Sequence, residues 1–288
     1  MSSYPKKVKI VEVGPRDGLQ NEKKPLSVDI KVELIDKLSH SGLPVIEAGA
    51  FVSPKWVPQM ADTYQVYQRI SKHAGVSYPV LVPNLKGMDM AISAGVQEIA
   101  VFAAASESFS QKNINCSIQE SFERFKPVID SANNNNIKVR GYVSCVMGCP
   151  YEGPVPAERV REVAERLYNL GCYEISLGDT IGVGTVPKTR ALIESVCSHV
   201  PVESVAVHFH DTFGQAVVNI HEAIRMGVST VDTAVGGLGG CPYAKGATGN
   251  VATEKVLYLL DGLEIEHGAN LGQIEKISAW IKKLLQES

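Results

Sequence analysis

Two histidines one residue apart, in His208-Phe-His210-Asp211, are the most specific chemical signal in the chain. In an extended strand side chains alternate between faces, so both imidazoles point to the same side. Two neutral imidazoles on one face, near carboxylates, suit a divalent cation. The plain alternative makes one histidine a ligand and the other a hydrogen-bonded packing residue. Asp17, in Gly14-Pro-Arg16-Asp17-Gly18, favours the metal if the first strand lies beside the last two. Asn250 offers a further oxygen. Two nitrogen and two oxygen ligands leave positions open on an octahedral ion, as a chelating substrate requires.

Other polar residues gather at the ends of apolar runs. Arg16 either closes a tight loop through an ion pair or presents a fixed cation to charge that develops during reaction. Glu47 and Asp179 are either supports for neighbouring ligands or desolvated proton-transferring bases. Support suits Glu47 better, and Asp179 stays open between the two. Glu254 begins a helix, where a carboxylate is favoured. Cys241 sits in Gly-Gly-Leu-Gly-Gly-Cys241-Pro-Tyr-Ala-Lys-Gly, a glycine density suited to a movable lid that brings a thiol over the site. The alternative there is an inert small side chain.

The elements that must position these groups follow from periodicity. Short runs rich in Val and Ile at 8–13, 45–48, 78–82, 98–103, 139–144, 173–177, 204–209 and 229–234 predict strands. Amphipathic stretches such as 29–39, 117–131, 157–170 and 215–226 predict helices between them. Strictly alternating strands and helices imply parallel βαβ units. Four segments repeat a helix end, a glycine and a strand, at Gly42, Gly95, Gly171 and Gly227. Each glycine suits the left-handed position that closes a helix. A two-strand unit used four times predicts an α/β fold, a (β/α)8 TIM barrel over about 6–262, within one catalytic domain spanning 1–288. A doubly wound open sheet is the rival, but no GxGxxG follows the first strand. The helical sequence at 274–285, in a C-terminal region of about 263–288, is expected outside the barrel or at a subunit contact. Barrel enzymes place their chemistry where strands end, and here the strand ends carry the polar groups. That predicts an enzyme.

Composition narrows the class. Of 288 residues 44% are hydrophobic and 20% charged, an ordinary globular balance. Net charge is −3, which gives no support to a nucleic-acid or membrane surface. No apolar run is long enough for a membrane span, and the start lacks a signal-peptide core. The six cysteines are dispersed without a CxxC pair and read as reduced thiols of a cytosol-like compartment.

The segment Val-Glu-Val-Gly-Pro-Arg16-Asp17-Gly-Leu-Gln-Asn-Glu-Lys resembles the opening of 3-hydroxy-3-methylglutaryl-CoA lyases. So do Phe51-Val-Ser-Pro-Lys-Trp-Val-Pro-Gln-Met60, Ser-Cys145-Val-Met-Gly-Cys149-Pro-Tyr-Glu-Gly, Leu-Gly-Asp179-Thr-Ile-Gly, and the stretch 236–250. The His-x-His and Arg-Asp-Gly elements alone indicate only the wider superfamily of metal-dependent aldolases and Claisen-condensing enzymes; the Cys241 loop narrows it to the lyases. The resemblance implies cleavage of 3-hydroxy-3-methylglutaryl-CoA to acetyl-CoA and acetoacetate. It implies Mg2+ or Mn2+ held by Asp17, His208, His210 and Asn250. It makes Arg16 the catalytic arginine and Cys241 the loop thiol, with Glu47, Asp179 and Glu254 as acids of the active site. Lys23, Lys24, Lys112, Asn113 and Asn115, in loops after the first and fourth strands, would meet coenzyme A; solvation explains the lysines equally well. No cysteine follows Cys241, so the cysteine-bearing extension and leader of organellar members are not expected, and a cytoplasmic homodimer or higher homo-oligomer is. The rival within the superfamily is a condensing acyltransferase, against which Leu19 and the Cys241 loop count. A non-catalytic ligand-binding barrel would require the polar strand ends to be incidental.

Overall fold

The structure, a computed structural model, describes residues 4–22, 25–239 and 249–287. Its strands are β1 (Lys9–Glu12), β2 (Val45–Ile46), β3 (Gly49–Ala50), β4 (Val80–Leu81), β5 (Glu98–Ala104), β6 (Lys138–Ser144), β7 (Glu174–Asp179), β8 (Val205–Phe209) and β9 (Thr230–Thr233). Between and after them run α1 (Val28–Ser39), α2 (Thr63–Arg69), α3 (Leu85–Ala94), α4 (Glu107–Ile114), α5 (Ile118–Asn134), α6 (Ala157–Asn169), α7 (Val186–Cys197), α8 (Ala216–Arg225), α9 (Thr253–Gly262) and α10 (Leu271–Glu287).

The strands pair in the order β2-β1-β9-β8-β7-β6-β5-β4-β3, all in parallel. The two ends of that order, β2 and β3, are halves of one stretch separated by Glu47 and Ala48. β2 bonds β1 and β3 bonds β4, so the sheet closes on itself and the expected (β/α)8 barrel forms without a free edge. Nine strands stand where eight were expected because the second is divided. Between its halves the chain passes its hydrogen bonds from one neighbour to the other: Glu47 N donates to Glu12 O and Ala48 N to Pro79 O, each at 2.9 Å.

The helix-ending glycines behave as their repeat requires. Gly42, Gly95, Gly171 and Gly227 have φ of 85°, 75°, 107° and 100°, values that a side chain would oppose. Helix starts are equally legible: Ser117 and Glu120 form a reciprocal capping box at α5, and Ser27 accepts from Ile30 N at α1. α10 packs against α1, α9 and the turn Val235–Gly237, burying Ile274, Ile277 and Ile281. Of the two places expected for this helix, it occupies the outside of the barrel.

The barrel interior is not filled by branched apolar residues alone. Arg140, Glu174, Ser176 and Asp232 are buried within it, joined by hydrogen bonds across β6, β7 and β9. Buried charges must be paired, and these are.

Candidate active site

The turn after β1 is a single wide helical turn, Gly14–Gly18, in which the N–H groups of Arg16, Asp17 and Gly18 all point at Val13 O. It lifts Arg16 and Asp17 over the C-terminal mouth of the barrel. Gly18 makes this possible: a Cβ there would lie 2.7 Å from Leu238 Cβ, so only glycine lets the turn press on the segment after β9. His208 is the penultimate residue of β8 and His210 directly follows the strand, with ring centroids 5.4 Å apart. Asp17, His208 and His210 each offer a ligand atom, and these atoms lie within 4.8 Å of one another. Period two on one strand and adjacency of β1, β9 and β8 are what bring them together.

The donor set fits a divalent cation. His208 Nδ1 lies 3.2 Å from Asp232 Oδ2, so its other nitrogen, Nε2, faces Asp17 Oδ2 at 3.8 Å. The His210 ring donates to the Thr180 carbonyl, and its Nδ1 is buried with no partner among the described residues. Burial, then the neighbouring His208, pushes His210 down to about 4, so at neutral pH the ring is uncharged and ready to ligate. Burial alone would raise the Asp17 carboxyl, but Arg16 and the two imidazoles outweigh it and hold Asp17 below the usual carboxylate range. Lone pairs of two imidazoles and a carboxylate thus converge where a cation would satisfy all three.

Arg16 is buried between two acids. Its Nε donates to Glu47 Oε2 at 2.6 Å and its Nη1 to Asp17 Oδ1 at 2.5 Å. Burial disfavours the guanidinium charge, yet Glu47 and then Asp17 outweigh it and raise Arg16 above its ordinary value. Burial also raises the Glu47 carboxyl; the guanidinium at 2.6 Å, which keeps its proton at any working pH, makes the pair ionic. The Tyr142 ring lies under this cation, its centroid 5.4 Å from Arg16 Cζ and 4.9 Å from Arg140 Cζ.

The other expected residues divide by position. Glu47 reaches the site only through Arg16. Asn250 touches Asp17, but its Nδ2 donates to Asp17 Oδ2 at 2.8 Å and to Leu238 O at 3.1 Å; as a metal ligand it would use Oδ1 instead. Asp179 ends β7 with its oxygens on Val183 N (3.2 Å) and Gly184 N (2.7 Å), and burial raises its pKa. Glu254, in the first turn of α9, accepts from Gly236 N and Ser278 Oγ, tying the turn after β9 to α10. Lys112, Asn113 and Asn115 line the same cleft as the triad, but not from a loop as expected: Lys112 and Asn113 lie in the last turn of α4 and Asn115 caps its end in the left-handed conformation. Lys23, Lys24 and Cys241 lie outside the described residues.

The cleft has a volume of about 660 Å³. Arg16, Asp17, His208 and His210 form one wall, and Leu81, Phe102 and Phe109 contribute apolar surface to the others. Trp56 stands on its wall, 81% exposed. Sequence reasoning missed Tyr142, Arg140, Asp232 and Glu12. Counting back by two from Ser144 along β6 puts Tyr142 and Arg140 on one face, a signal that was available. Asp232 and Glu12 are single acids inside apolar strands, and a charge in such a run demands a partner.

A closed (β/α)8 barrel with two imidazoles and a carboxylate converging at its mouth defines the class. Residues 7–281 match the HMGL-like family model, and the chain belongs to the HMGL-like family. It is 60% identical over 269 residues, 93% of this chain and 90% of the relative, to the 3-hydroxy-3-isohexenylglutaryl-CoA/hydroxy-methylglutaryl-CoA lyase of Pseudomonas aeruginosa. The cytoplasmic 3-hydroxy-3-methylglutaryl-CoA lyase of Rattus norvegicus is 57% identical across 100% of this chain and 84% of its own. A solved structure of hydroxymethylglutaryl-CoA lyase from Pseudomonas aeruginosa superposes with a TM-score of 0.97 at 57% identity, covering 100% of this chain and 96% of that one.

Proposed function

We propose that this chain cleaves 3-hydroxy-3-methylglutaryl-CoA to acetyl-CoA and acetoacetate. The observation that carries the reading is the meeting of Arg16, Asp17, His208 and His210 in a cleft that is also lined by Lys112 and Asn113 of α4. A Mg2+ or Mn2+ ion held by Asp17, His208 and His210 would supply Lewis acidity that acidifies the substrate's tertiary hydroxyl.

Arg16 stabilises the charge that appears when the carbon–carbon bond breaks. Loss of the hydroxyl proton turns that carbon into the ketone of acetoacetate, and the bonding electrons become a thioester enolate. A guanidinium locked by Glu47 and Asp17 is preorganised for the enolate oxygen and needs no rearrangement at that moment. Asp179, whose pKa burial raises, would either take the hydroxyl proton as a carboxylate or only hold the 183–184 loop, whose N–H groups occupy both of its oxygens and keep it off the cleft wall. Cys241, carried by family resemblance, would return a proton to the enolate carbon, through an acid such as Glu254.

A second reading concerns the acyl group. The Pseudomonas aeruginosa relative is named for an isohexenyl as well as a methyl substrate, and Leu81, Phe102 and Phe109 give this cleft an apolar surface that suits a longer 3-alkyl chain. A cytoplasmic homodimer or higher homo-oligomer belongs to the same proposal, which for location leans on the cytoplasmic Rattus norvegicus relative.

The test is acetoacetate production from 3-hydroxy-3-methylglutaryl-CoA by metal-stripped protein before and after Mg2+ or Mn2+ is added. Product that appears only with the ion supports the reading. Folded, metal-loaded protein that releases no acetoacetate would overturn the substrate assignment, and free CoA released from acetyl-CoA and a 2-oxoacid would favour a condensing acyltransferase.

A further inference from the structure

Behind His208, on the side away from Asp17, lies a second carboxylate that the reaction scheme does not use. Asp232 stands on β9 and is buried. Its Oδ1 and Oδ2 accept Arg140 Nη2 and Nη1 at 2.7 and 2.9 Å. Oδ2 also accepts Ser176 Oγ at 2.7 Å and lies 3.2 Å from His208 Nδ1. Arg140 Nε continues to Glu174 Oε1 at 2.7 Å, and Lys9 Nζ meets Glu174 Oε2 at 2.6 Å. A ladder of alternating charge thus runs through the barrel interior from Lys9, a third exposed, to the back of His208.

We propose that Asp232 is a positioning residue that fixes His208 as the Nδ1–H tautomer and so turns the bare Nε2 towards Asp17 and the cation site. The proposal rests on the metal reading above. An ionised carboxylate only accepts hydrogen bonds, so the ring nitrogen facing Asp232 must bring the proton. In the neutral ring the proton on Nδ1 leaves Nε2 with its lone pair, 3.8 Å from Asp17 Oδ2. Two acceptors then face one another, an arrangement that a cation would satisfy. Carboxylate partners behind metal-binding histidines act in this way elsewhere, fixing tautomer and ring orientation. Arg140 keeps Asp232 from turning, because two guanidinium bonds hold both of its oxygens.

Asp232→Asn is the informative change. Arg140, the charged donor, claims the one amide oxygen, and the NH2 group turns to His208 Nδ1. That nitrogen must then accept, the ring proton moves to Nε2, and it stands where the cation would bind. In metal-free wild-type protein, 15N-resolved NMR of the histidine rings, with His208 assigned by its loss in His208→Gln, is expected to show the proton on Nδ1. In Asp232→Asn it is expected on Nε2, with Mn2+ affinity measured by calorimetry weakened roughly 10- to 100-fold. A purely structural role for Asp232 would lower thermal stability and leave both readouts unmoved, and that result overturns the proposal. So does wild-type protein with the proton on Nε2, a result that needs no variant to fold. If wild-type protein binds no Mn2+, the metal reading fails on its own, and the tautomer measurement still decides the role of Asp232.

Discussion

Arg16 Nε donates to Glu47 Oε2 at 2.6 Å, and both side chains are buried. Glu47 has no place on the cleft wall, so any contribution it makes to turnover passes through the guanidinium. Arg16→Gln is expected to lower kcat by about 10²- to 10³-fold, the usual cost of losing a preorganised donor to developing negative charge, with a small change in KM. Glu47→Gln is expected to be milder. The double variant should be no slower than Arg16→Gln, because residues that act as one unit do not add. Steady-state kinetics on the four proteins check this, and full additivity would separate the two residues.

Metal removal has a thermodynamic counterpart. A ligand that binds only the folded state stabilises it by about 2.7 kcal/mol at a hundredfold excess over its dissociation constant. Chelation is therefore expected to lower Tm as well as abolish activity, with both restored by Mn2+. His210→Gln, which loses a bare buried nitrogen, should lose the Mn2+-dependent part of Tm and keep that of the metal-free protein. Scanning calorimetry with and without Mn2+ reads both. An equal Mn2+ response in wild type and variant would remove His210 from the ligand set.

The parts of this architecture that are periodic were legible in the sequence. Val and Ile runs marked the strands because a parallel strand covered on both faces has no polar side to show. Gly42, Gly95, Gly171 and Gly227 marked helix ends because left-handed backbone excludes most side chains. His208 and His210 declared themselves by their spacing. What stayed hidden depends on contacts across the barrel. Asp232 is 24 residues from His208 and 92 from Arg140, and no local pattern announces that the three meet. The division of the second strand at Glu47 was hidden for the same reason, since it is set by neighbours on either side. Glu254 looked like a helix-starting acid and is one, but its bond to Ser278 on α10 depends on a helix packed from the far end of the chain.

Asp179 is open to a direct discrimination. Its two oxygens each take a backbone N–H, from Val183 and Gly184. Asp179→Asn keeps the shape and leaves one acceptor for two donors, so one buried N–H loses its partner, at about 1–3 kcal/mol. If the carboxylate serves only the loop, Tm is expected to fall and kcat to change modestly. If it takes the hydroxyl proton, kcat is expected to fall by about 10²- to 10⁴-fold, the range for general acid–base groups. Asp179→Asn that keeps both wild-type Tm and wild-type kcat would leave the residue neither role.

Glu12 carries a pH signature of its own. It is fully buried on β1, where its Oε1 accepts Gly14 N and Val235 N and its Oε2 accepts Thr253 Oγ1 at 2.6 Å. Burial, partly opposed by these bonds, raises its pKa from the usual 4.5 to about 7. The folded protein therefore binds a proton more tightly than the unfolded chain does. The stabilisation from that proton is fully present below pH 4.5 and is lost as pH rises through 7, at no more than about 1.4 kcal/mol per pH unit. Glu12→Gln removes the titration and keeps a donor for Thr253 Oγ1 and an oxygen for the two N–H groups. Relative to the wild type, the variant is expected to gain stability steadily between pH 5 and 7.5. Denaturant unfolding of both proteins across that range isolates the effect, since every other titrating group is common to the two. A difference that stays flat with pH would mean that Glu12 is ionised throughout, held by its three donors against the cost of burial.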